Sequence, residues 1–124
     1  MHPRARQGIM LFNQGSFFEA HEELEVAWRE EPGKIRGLYQ GILEAGVTYL
    51  HLRRQNLAGA VKVYGRSMRW LGKWPEICRG AHIGRLRRDL DAIIDEARRL
   101  GPAHLADLDP AYFRPIIMQE GSHG

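Results

Sequence analysis

Cysteine is almost missing from this sequence. Cys78 is its one thiol, so no internal disulfide framework and no cysteine-rich zinc site can form. A single cysteine also fits a reducing cytosol. No P-loop and no G-x-G-x-x-G is present, which argues against a standard cradle for nucleotide phosphates. No G-x-S-x-G elbow appears, and no cysteine-hydrolase signature surrounds Cys78, although Arg79 and His82 beside it could lower its pKa. No stretch approaches the roughly 18 apolar residues of a membrane span. The start, MHPRARQGIMLF, is basic, but its apolar part IMLF falls short of the about 7–15 residues of a signal-peptide core. Strand signals are lacking too, since no apolar/polar alternation is sustained.

What is present is ordinary soluble composition, with 44% hydrophobic and 27% charged residues over 124 positions. That length fits one compact domain, taken here as residues 1–124, and suffices to bury a core. The net charge of +3 conceals an asymmetry. Residues 1–51 hold five Lys/Arg against seven Asp/Glu, and residues 89–124 three against seven. The middle, residues 52–88, holds ten basic residues and one acid, Glu76. A basic middle can be an anion-binding face, or it can pack beside its own acidic neighbours.

Helical periodicity runs through the chain. A first helix is expected from Ser16, where Ser16 and Glu19 form a capping-box pattern, to about Glu30, ended by Pro32-Gly33. Gly15 just before it permits a tight entry. A second spans about Ile35 to Arg54 and is apolar over more than half its circumference, as a central helix should be. Its Gly41 and Gly46 weaken helicity by about 1 kcal/mol each, and close approach of a neighbour would offset that. Asn56 caps a third, about Leu57 to Gly72. WPEICRGAH is read as a connector, and a fourth helix covers about Ile83 to Leu100, stopped by Gly101-Pro102. Ile116, Ile117 and Met118 are expected to dock in extended form, and the tail GSHG to be disordered. The resulting expectation is an all-α, single-domain bundle of about four main helices with a partly extended C-terminal segment.

Residues 12–28 read FNQGSFFEAHEELEVAW, followed by QGI at 40–42 and NLAGA at 56–60. Together, over about residues 10–72, these resemble the DUF309 family of small bacterial and archaeal helical proteins. The resemblance implies an all-helical fold and a domain of unknown function. It supplies no substrate, cofactor or catalytic residue. Ala45, Tyr49, Asn56, Ala60 and Tyr64 also sit at spacings like those of a tetratricopeptide helix–turn–helix unit. With no second copy, the most this supports is one such hairpin inside a bundle.

The candidate site lies in the same stretch. His21 borders the buried arc of the first predicted helix, and Glu25 one turn on can touch it. Such a pair can orient an imidazole for acid–base work. On the second predicted helix Gln40, Glu44 and His51 fall within about 40° of one another. If that stripe faces the first helix, a polar pocket forms from His21, Glu22, Glu25, Trp28, Gln40, Glu44 and His51. Its inner four, His21, Glu25, Glu44 and His51, would be the ingredients of a bundle metal site. They match neither HExxH nor the Glu-x-x-His pattern. The plainer alternative is that His21 fixes helix packing and Glu22 and Glu23 are solvated. Lys62, Arg66, Arg69 and Lys73 form a basic stripe on the third helix, with Trp70 and Trp74 close by, a combination that suits single-stranded nucleic acid or a phosphorylated ligand. The leading expectation is a cytosolic ligand- or partner-binding domain. A metal-dependent enzyme and an anion or nucleic-acid binder are the alternatives.

Overall fold

A proline at position 3 behind a histidine starts a helix with little apolar periodicity. In the computed structural model, which describes residues 1–119, α1 covers Pro3–Asn13. The His2 ring accepts from the Arg4 N–H at 3.0 Å, and Pro3 fills a first-turn position where no N–H is needed. Its buried face is Ala5, Gly8, Ile9 and Phe12. Two of those four are small, which mutes the apolar signal, but it suits close packing. A Cβ on Gly8 would lie 2.6 Å from Leu24 Cγ on the next helix.

Three residues turn α1 into α2, Phe17–Glu30. Gly15 adopts φ +81°. Its N–H donates to the Phe12 carbonyl, and the Ser16 N–H donates to the Leu11 carbonyl, both at 2.9 Å. This is the paired bonding of a Schellman ending. It also explains why the expected capping box is not made. The box requires a free Ser16 N–H, but the preceding helix already holds it, and the Ser16 side chain makes no cap bond.

α3, Arg36–Arg53, packs between α2 and α4, Leu57–Leu71. Leu38, Tyr39, Ile42, Ala45 and Tyr49 are fully buried on it, as its broad apolar surface implies. Gly41 is where α4 comes closest: an added Cβ would meet Leu71 Cδ2 at 2.7 Å and its backbone nitrogen at 3.2 Å. Ser67 Oγ donates to the Gly41 carbonyl at 2.8 Å across the same contact. Gly46 faces Phe12 of α1 at ordinary contact distance, so it makes no comparable demand. Asn56 caps α4 by accepting from the Gly59 N–H at 3.0 Å.

The connector is more ordered than a bare loop. Ile77–Cys78 (β1) and Ala81–His82 (β2) pair antiparallel. Arg79 and Gly80 both take positive φ, the requirement of a two-residue hairpin turn. α5, Ile83–Leu100, follows, then 3-10 turns at Pro102–Asp107 and Pro110–Tyr112. The last described residues lie extended. Ile116 is buried, Met118 bridges to Ala81, and the Asn13 side chain bonds the Ile116 backbone in both directions at 2.7 and 2.9 Å. One connected apolar core runs from Ala5 to Ile116. The fold is all-α, with that small hairpin as its only sheet among the described residues. No described helix is long and apolar enough to cross a membrane. The tail GSHG lies outside the described residues.

Candidate functional site

The stripe on α3 turns toward α4 rather than toward α2. Glu44 is buried and accepts from Arg66 Nε of α4 at 3.1 Å. Burial pushes its carboxyl above the usual carboxylate range, opposed by the charge and hydrogen bond of Arg66. Its second oxygen, Oε2, has no partner among the described residues. His51 meets Asn56 at the start of α4, with 3.1 Å between Nδ1 and the amide nitrogen. Because Asn56 Oδ1 is the acceptor for Gly59, its amide nitrogen faces His51, and His51 Nδ1 accepts.

His21 and Glu25 do meet each other, at 3.5 Å, and Glu25 is shared with Arg29 at 3.2 Å. Glu22 is exposed. Trp28 lies half-buried under the Arg36 guanidinium, 4.1 Å from its ring. The four residues proposed as metal ligands are therefore not gathered. Two pair on α2, and two look to α4. Among the described residues no three His, Cys, Asp or Glu side chains come together as a metal cage would need. The physical reason is that α3 packs chiefly between two helices, α2 and α4. Helical spacing shows that Gln40, Glu44 and His51 share a face, but not which neighbour receives it. None of the seven predicted pocket residues lines any of three cavities of about 440 to 580 Å³ on the molecule.

The cleft that does form, of about 520 Å³, lies where the α1–α2 turn, the end of α3 and the C-terminal segment meet. Phe12, Asn13, Gly15 and Phe17 of the opening motif line it, facing Phe113 and Arg114. Rings are stacked behind it: Phe17 and Phe113 each sit 5.4 Å from Tyr49 in edge-to-face arrangement. Arg53 lies over both Phe17 and Phe113, at 4.6 and 5.6 Å, and donates to the Gly15 carbonyl. It has no carboxylate partner among the described residues. Arg114 is different: it pairs with buried Asp89 at 3.1 Å. Burial, with Asp89 adding to it, holds the Tyr49 phenol well above its ordinary pKa. Its hydroxyl and Asp89 Oδ2 have no partners among the described residues. No acidic side chain lines the cleft. Arg53, Phe113 and Arg114 escape sequence reasoning because they come from distant positions. The F-N-x-G-x-F run was the one local signal pointing here.

The basic stripe is divided. Arg66 is held by Glu44, while Lys62 and Arg69 project from α4 as exposed side chains. Arg87 donates to the carbonyls of Leu71 and Trp74 at 2.8 and 3.1 Å, and Arg88 pairs with Glu76 at 3.0 Å. Lys73 sits 4.6 Å over the Trp70 ring. Burial raises the Cys78 thiol pKa, outweighing the Arg79 charge, so the lowering suggested by its basic neighbours is not realised.

Comparison with known proteins agrees with the motif. Residues 5–63 match the family model of DUF309, a domain of unknown function. The resemblance carried by the motif is thereby confirmed over that region. The chain is similar to the uncharacterized protein YpuF of Bacillus subtilis (strain 168), 45% identical over 56 residues, which is 44% of this chain and 32% of the relative. It is also similar to an uncharacterized protein of Aquifex aeolicus (strain VF5), 26% identical over 93 residues, 72% of this chain and 27% of that one. The matched segments thus span about a third or less of the length of these curated relatives.

Proposed function

We propose that this chain, which carries the DUF309 region at residues 5–63, is a single cytoplasmic helical domain that binds a small amphiphilic anion in the cleft between the α1–α2 turn and Phe113. The ligand class is a carboxylate or phosphate on a compact apolar or aromatic body. One observation carries the reading: Arg53, without a carboxylate partner among the described residues, is stacked over two phenyl rings in a cleft that no acid lines. A guanidinium in that setting attracts an anion, and the rings beside it offer the apolar contact that fixes the rest of the molecule. The cleft volume lies in the range of small-molecule sites. The cytoplasmic assignment is supported by the lone, unpaired thiol of Cys78.

The test is nuclear magnetic resonance titration of the intact chain with phenyl phosphate and hexanoate, against benzyl alcohol and hexanol as neutral counterparts. The two anions are expected to shift resonances of Phe17, Arg53 and Phe113 saturably, and the neutral pair not to. Arg53→Gln should remove the response. Equal shifts from anions and neutral alcohols, or none at millimolar concentration, would overturn the reading.

A further inference from the structure

A second cavity, of about 440 Å³, opens between the start of α3 and the end of α4. Lys34 and Arg36 stand on one side, Trp70, Lys73 and Trp74 on the other, with Gly37 as the floor. No acidic residue lines it. None of its three cations has an ion-pair partner among the described residues. This contrasts with Arg66, Arg87, Arg88 and Arg114, each of which is held by a carboxylate.

Two further observations describe the walls of the notch. Arg36 Nε and Trp74 Nε1 are buried N–H donors without an acceptor among the described residues. Buried donors are rarely left that way, so both belong to residues whose polar groups are not fully satisfied within the fold. The absence of a side chain at residue 37 lets the Trp70 indole pack closely, with Trp74 at ordinary contact distance. A Cβ there would lie 3.3 Å from Trp70 ring carbons and 3.7 Å from Trp74 Cζ2.

We propose that this notch binds a nucleotide unit, with the phosphate held by Lys34 and Lys73 and the base resting on the indole walls. Cations flanking aromatic rings are the elements from which nucleotide-binding surfaces are made, since every base has a π face and every unit an anion. The site shares no lining residue with the cleft at the α1–α2 turn, so it stands or falls independently of that reading.

Tryptophan fluorescence of the full chain, titrated with 5′-AMP, adenosine and ribose 5-phosphate, tests it. Quenching by 5′-AMP should saturate, and adenosine should bind at least about tenfold more weakly for want of the phosphate. Trp70→Ala should weaken 5′-AMP by about tenfold or more. Lys34→Ala/Lys73→Ala changes two side chains without ion-pair partners, so it keeps the fold while removing the phosphate site. Arg53→Gln should bind 5′-AMP as the parent does. A 5′-phosphorylated single-stranded oligoadenylate separates the two sources of such a unit. Tighter, strongly salt-dependent binding identifies a strand, and equal affinity identifies the free nucleotide. Equal affinity for adenosine and 5′-AMP, or unchanged binding in Lys34→Ala/Lys73→Ala, would overturn the proposal.

Discussion

The turn between α1 and α2 and the turn between α3 and α4 share one hydrogen-bond scheme and are built from different residues. In the first, the N–H groups of Gly15 and Ser16 reach the carbonyls of Phe12 and Leu11. In the second, those of Gln55 and Asn56 reach Leu52 and His51 at 3.0 and 2.9 Å. The left-handed residue is glycine in one, at φ +81°, and glutamine in the other, at φ +58°. Glycine sits there freely, while an L-residue bears about 1–2 kcal/mol of strain. The following residue differs the other way. Ser16 makes no side-chain cap, whereas Asn56 bonds both Gly59 and His51. One turn is relaxed in its backbone and uncapped; the other is strained and doubly tied. Both line the same cleft, so each contributes to its stiffness.

Four substitutions probe that contrast. Gly15→Ala should do the most damage, about 2 kcal/mol by denaturant unfolding: the φ strain, plus displacement of Arg53, whose Nη2 lies 2.7 Å from where a Cβ would stand. Anion binding in the cleft should weaken with it. Asn56→Ala should lose about 1 kcal/mol, the usual worth of a cap, and free the His51 ring, visible in its proton resonances. Gln55→Gly should gain about 0.5 kcal/mol, relief of strain exceeding the added freedom of the unfolded chain. Ser16→Ala should be silent, within roughly 0.3 kcal/mol in a thermal melt. A loss there matching that of Asn56→Ala would mean the two turns are capped alike, and the contrast would be gone.

Much of the scaffold was legible in the residues. The bounds of α5 agree with the periodicity reading, and those of α2, α3 and α4 fall within one residue of it, because Pro32-Gly33, Asn56 and Gly101-Pro102 are strong local punctuation. The docking of Ile116 was legible as well, from apolar residues stranded beyond Pro115. α1 was not, because Ala5 and Gly8 carry too little apolar surface to announce a buried face. The candidate site was legible only in part. Helical spacing put Gln40, Glu44 and His51 together but could not choose between α2 and α4 as their neighbour. The cleft and the tryptophan notch each join residues far apart in the chain, Phe17 with Phe113 and Lys34 with Trp74, which no spacing rule links. Trp70, Trp74 and Lys73 could be read as one group; their completion by Lys34 and Arg36 needed the fold.

The two-way bond between Asn13 and the Ile116 backbone spans 103 positions. Together with the Arg114–Asp89 pair and the buried Ile116 side chain, it makes the stretch from Arg114 to Ile116 a docked peptide in all but covalent connection. Nicked by a protease in the exposed stretch around Ala103 and His104, the two pieces should therefore co-elute as one particle and separate only in denaturant.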